Sequence, residues 1–152
     1  MKIDYSEILR DNMVNVLRDV LKIIEKDGLK QGHHLYISFK TGKKNAVLPN
    51  WLKDKFPKEM TIIIQYEYWN FKVLDDNFKI TLSFDDIKSN LVIPFNSVIS
   101  FADPYANFGL RLIEDKKKYR QTRKSSQVSE NNEKELSKNN IIKFNEFKKK
   151  LR

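Results

Sequence analysis

The sequence predicts an α+β domain in which one long N-terminal helix precedes a small, bent antiparallel β-barrel, with a disordered basic tail behind it. Three observations carry that expectation. Apolar residues recur at helical spacing from Tyr5 to Ile24, and the period switches to two from His33 onward. Beyond residue 114 large apolar side chains become sparse until the last twelve residues. The chain divides accordingly into a folded domain over 1–114, a linker over 115–140 and a terminal segment over 141–152.

The helix is expected from about Tyr5 to Asp27. Asp4 with Glu7 three residues later fits a capping box, and Gly28 stands where a C-terminal cap belongs. Tyr5, Ile8, Leu9, Met13, Val16, Leu17, Val20, Ile23 and Ile24 form its stripe, which Val14 and Leu21 widen. That is broader than one side of a small barrel can cover, so either the helix is deeply buried or its second edge packs against another protomer; the second is expected, with Val14, Leu17, Val20 and Leu21 as the dimer positions.

His33 to Phe39 alternates as a strand, with Leu35, Ile37 and Phe39 on one face. Thr41 to Lys44 reads as a loop, and Pro49 to Phe56 as a short helical detour closed by Pro57. Met60 to Tyr68 is a β-prone run with three consecutive isoleucines, continued after a break by Trp69 to Leu74. Asp75-Asp76-Asn77 and Asp85-Asp86 are turns, flanking a strand with Phe78, Ile80, Leu82 and Phe84 on one face. Leu91 to Ile93 and Val98 to Phe101 supply the last strands, separated by a helical turn that starts at Pro94.

The net charge is +9, and its location matters. Residues 1–114 hold 16 basic against 15 acidic residues, while residues 115–152 hold the other 13 and 5. A nearly neutral body argues against nucleic acid as the domain's partner, although a basic tail can grip phosphates. Residues 115–140 cannot bury enough surface to offset their ordering entropy. The terminal segment regains Ile141, Ile142, Phe144 and Phe147 abruptly, which suits a short linear motif for another protein.

Chemistry is hard to place on this chain. With no cysteine, disulfides and thiolate chemistry are excluded. His33 and His34 are neighbours whose side chains point to opposite faces of a strand, and no third ligand has suitable spacing for a metal. The aspartate pairs sit in turns, where their conformational preferences already explain them. No glycine-rich phosphate loop and no nucleophile elbow is present. No catalytic residue, metal or cofactor is expected. The start lacks an apolar signal segment and no run is long enough for a membrane helix, so a soluble cytoplasmic protein is expected. Gln65 stands out as a polar residue inside an apolar run, where an inward-facing amide would need partners that a bound peptide backbone could supply.

A series of stretches in order resembles the stringent starvation protein B family, in its α-proteobacterial form. They are Gly28-Leu29, His33 to Phe39, Lys58 to Ile62, Gln65 to Trp69, Leu82-Ser83-Phe84, Leu91 to Phe95, Phe101 to Pro104 and Phe108-Gly109-Leu110. The resemblance implies an adaptor for the ClpXP protease, built as a helix and an Sm-like, SH3-like barrel that dimerises through its N-terminal helices. It implies a groove for the ssrA-type degradation tag of stalled translation products, with Gln65, Ile63, Phe84 and Ile87 as its residues. The family loop usually reads Phe-Gly-Gly where this chain has Phe84-Asp85-Asp86. The tail would dock on the N-terminal domain of the ClpX ATPase through Ile141, Ile142, Phe144, Phe147 and Lys148, with Phe144 in place of the usual leucine and Asn145 where aspartate is common. The alternative is a small Sm-like RNA-binding protein with a basic tail.

Overall fold

A computed structural model describes residues 2–30 and 32–112. Helix α1 runs from Tyr5 to Asp27. Its first turn is closed by Asp4, whose carboxylate accepts from the Glu7 backbone N–H at 3.1 Å and from the Ser6 hydroxyl at 2.8 Å. Its last turn ends at Gly28, which takes φ +76° and donates its N–H to the Ile24 carbonyl at 2.8 Å. Glycine holds that positive φ without steric cost.

The remaining elements are β1 (Leu35–Lys40), α2 (Asn50–Lys55), β2 (Glu59–Ile64), β3 (Trp69–Val73), β4 (Asn77–Phe84), β5 (Ile87–Pro94), the 3₁₀ turn Phe95–Ser97, β6 (Val98–Asp103) and β7 (Phe108–Arg111). All pairings are antiparallel. They form a four-stranded sheet in the order β2-β1-β6-β7 and a three-stranded sheet in the order β3-β4-β5. No sheet closes on itself among the described residues, so the expected barrel takes the form of two open sheets around a common core. An isolated bridge between Val47 and Val92 adds a rung beside β5.

The core is assembled from inward-facing positions of both sheets. Leu35, Ile37 and Phe39 of β1, Ile62 and Ile64 of β2, Phe78 and Ile80 of β4 and Leu91 and Ile93 of β5 are all sealed from solvent. Leu17, Leu21 and Ile24 of α1 enter the same cluster. Arg18 locks the helix in place: its guanidinium lies 4.9 Å from the Phe95 ring centroid and donates twice to the Asp75 carbonyl in the β3–β4 turn, at 3.1 and 2.8 Å.

Three sequence expectations change here. The strand expected from Met60 to Tyr68 stops at Ile64, because residues 65–68 carry the chain from one sheet to the other. The strand around Leu91 is longer than expected, running as β5 from Ile87. Strand β7 was not foreseen; its Gly109 and short length give little periodicity, and its pairing with β6 is what makes it a strand.

Candidate functional site

Alternation along β2 decides what each of its residues can do. Ile62 and Ile64 point into the core, so Thr61 and Ile63 face outward. Across the sheet Ile63 lies opposite Tyr36, and the Thr61 hydroxyl meets the Ser38 hydroxyl at 2.7 Å. Gln65 follows immediately after the strand, in a bend, and is half-buried. Its amide makes no hydrogen bond among the described residues, so donor and acceptor both remain available to a ligand. Strand β2 is the outermost strand of its sheet, and such an edge presents unpaired backbone groups to an extended peptide.

Phe84 and Ile87 occupy the tip of the β4–β5 hairpin, directly opposite one another. They continue the inward-facing rows of these strands past the end of the core, which leaves Phe84 half-buried and Ile87 52% exposed. Asp85 and Asp86 make the two-residue turn between them with φ of +50° and +63°. Two consecutive positive values match a type I′ hairpin turn, a conformation that glycine also adopts freely. The Asp85 carboxylate lies 3.3 Å from the Lys55 ammonium, so the hairpin tip is tied to the end of α2, just before the chain enters β2.

Of the four expected tag residues, two therefore share the outer side and end of β2, and two share the hairpin tip. The exposed Lys55–Asp85 pair places the hairpin tip beside the end of α2, at the start of β2 and away from Gln65. The aromatic surroundings extend beyond these four. Tyr66, 75% exposed, meets His34 edge-on at 6.2 Å. His33 stacks on Tyr105 at 3.9 Å.

The four expected dimer positions all turn toward the protomer's own core. Leu17 and Leu21 are fully buried in the protomer's own core, and Val14 and Val20 are half-buried against it. The apolar side chains that α1 leaves in solvent are Tyr5, Ile8, Leu9, Val16 and Ile23. The breadth of the stripe was visible in the sequence; which half turns inward was not.

No group of potential metal ligands is assembled among the described residues, and none of their helices is long and apolar enough to cross a membrane. The expected linker over 115–140 and the docking residues Ile141, Ile142, Phe144, Phe147 and Lys148 lie outside the described residues.

The family described as SspB, stringent starvation protein B, matches residues 7–149, from the first turn of α1 to within three residues of the last. No curated protein matches the chain.

Proposed function

Because the chain belongs to the stringent starvation protein B family, we propose that it is an adaptor which holds ssrA-type tagged polypeptides and presents them to the ClpX ATPase of the ClpXP protease. The observation that carries this reading is the extent of the match, which spans both the folded domain and the terminal residues Ile141 to Phe147. In the same reading the two sheets are the halves of an Sm-like barrel, and two protomers pair through α1.

The tag lies extended beside β2 and reaches the hairpin tip. Backbone groups of the β2 edge pair with the tag's main chain, the free Gln65 amide bonds to one of its peptide groups, and Ile63, Phe84 and Ile87 supply apolar contact. A strand edge offers affinity with little dependence on sequence, so specificity falls to these side chains.

Neither partner has to be held tightly. The expected linker of 26 residues over 115–140 joins the two binding parts in one chain, so the second binding event is intramolecular. Docking of the terminal segment then raises the substrate's effective concentration at the ATPase to the order of millimolar. Ile141, Ile142, Phe144 and Phe147 provide apolar anchoring, and Lys148 adds attraction that salt screens.

Calorimetric titration with an ssrA-type peptide, paired with ClpXP degradation of a tagged substrate, tests both halves. The reading expects binding by the full chain and faster degradation in its presence. No binding to the peptide removes the proposed cargo, and binding without accelerated degradation removes the delivery role.

A further inference from the structure

The outward face of the three-stranded sheet carries basic and uncharged side chains. Its side chains are Trp69 and Lys72 from β3, Lys79, Thr81 and Ser83 from β4, and Lys88, Asn90 and Val92 from β5. Three are lysines and none is a carboxylate, in a body whose charges otherwise nearly balance. The acids of this region, Asp75, Asp76, Asp85 and Asp86, all lie in the turns at the two ends of β4. None of the three lysines makes an ion pair among the described residues.

Lys72 and Lys79 are direct cross-strand partners. Like charges in that register destabilise a sheet, and an acid at either position would have relieved the repulsion. Beside them runs a fixed polar row: the Asn70 amide donates to the Thr81 hydroxyl at 3.3 Å, and that hydroxyl donates to the Asn90 side-chain carbonyl at 2.6 Å. With its oxygen engaged, Asn90 has its NH₂ group left to donate outward. On the far side of this row the Lys88 ammonium sits 4.1 Å from the Trp69 ring centroid. The face therefore offers cations at both ends, amide donors in the middle and no acceptor charge.

From this geometry we infer that the outer face of the β3-β4-β5 sheet is a docking surface for an acidic, extended peptide segment. Charge complementarity names the sign of the partner. The register names its spacing: Lys88 lies opposite Ser83, four residues along β4 from Lys79. At a rise of about 3.3 Å per residue the two cationic centres stand roughly 13 Å apart along the strand, which matches carboxylates four residues apart on the same side of an extended chain. A peptide fits better than single-stranded nucleic acid because the face has a single aromatic, half-buried Trp69, whose ring is occupied by Lys88. A base-stacking surface needs open rings. This surface is independent of the tag site, since Phe84 and Ile87 face the opposite side of the same hairpin.

The test uses the full chain and fluorescence anisotropy of short labelled serine–threonine peptides bearing two pairs of glutamates. In one peptide the pairs are four residues apart; in the other they are three apart and fall on opposite sides of an extended chain. Lys72→Gln/Lys79→Gln/Lys88→Gln is compared with the unaltered protein, so that any contribution of the basic tail is common to both. The four-spaced peptide should bind more tightly than the three-spaced one and about tenfold more weakly to the triple variant, as three exposed charge contacts of ordinary strength imply. The exposed substitutions should leave the melting temperature unchanged or raised. In Trp51→Phe protein, where Trp69 is the remaining indole, binding should alter the emission as Lys88 leaves the ring. Equal affinity of the triple variant, or indifference to glutamate spacing, overturns the inference. Tighter binding of an oligouridylate that is lost in the same variant overturns it too, and makes the face a nucleic-acid surface.

Discussion

Ile23→Glu isolates the role of the outer helix face. Tyr5, Leu9, Val16 and Ile23 fall within roughly 40° of one another on a helical wheel, about a third of a turn from the core positions Leu17, Leu21 and Ile24. Ile23 is 60% exposed, and full burial of an isoleucine is worth about 1.5–3 kcal/mol. A partner helix that covers the exposed part therefore gains roughly 0.9–1.8 kcal/mol per protomer. In a symmetric dimer the contact occurs twice, so its loss weakens association by roughly 2–3.5 kcal/mol, on the order of a hundredfold. An unpaired carboxylate at the contact adds to that loss. Folding of the protomer should hardly change, because the side chain already stands in solvent. Light scattering over a dilution series reads the dimer, and thermal unfolding reads the fold. Leu21→Ala is the contrasting variant: at a fully buried position it should cost about 2–5 kcal/mol of stability. A dimer undiminished in Ile23→Glu would place the interface off this face.

Gln65→Ala should weaken binding of a tag peptide with little change in melting temperature, since the amide has no hydrogen-bond partner among the described residues to lose; unaltered affinity in calorimetry would take Gln65 out of the site. Deleting residues 141–152 should leave peptide binding intact and abolish enhanced degradation, whereas loss of peptide binding itself would contradict the separation of cargo and docking functions. Asp85→Gly should change stability in urea by no more than about 1 kcal/mol, because the exposed Lys55–Asp85 pair contributes little and glycine adopts the positive φ without cost. A loss of several kcal/mol would show that the pair anchors the tip far more strongly than its exposure allows. Burial pushes the Tyr36 phenol above its ordinary value of 10.0. The folded state therefore holds that proton longer than the unfolded chain, so the contribution to stability is complete below pH 10 and fades as the pH rises through the folded value. Tyr36→Phe should flatten the alkaline decline in melting temperature, and an identical decline in the variant would assign it to other groups.

Local order was legible in the residues themselves. The Asp4 cap, the end of α1 before Gly28, both aspartate turns and the inward rows Leu35–Ile37–Phe39 and Phe78–Ile80–Leu82 follow from capping chemistry, turn preference and period. Gln65 stands out in the sequence as a polar residue inside an apolar run, whereas Ile63, Phe84 and Ile87 came from resemblance, and the folded domain adds that the four form one pair at the end of β2 and one at the β4–β5 hairpin tip.

Composition and period by themselves determined that one long helix precedes an antiparallel β domain whose charge is nearly balanced, and that the basic excess belongs to the last 38 residues. Long-range packing selects which half of the helix stripe is buried, where β2 ends, the division of the strands between two sheets, and the pairing of Lys72 with Lys79. The difference is one of range. Caps, turns and alternation act over a few residues. The orientation of α1 is set by contacts such as those of Arg10 with the Asn96 and Val98 carbonyls, more than eighty residues away, and cross-strand register is chosen by the core as a whole.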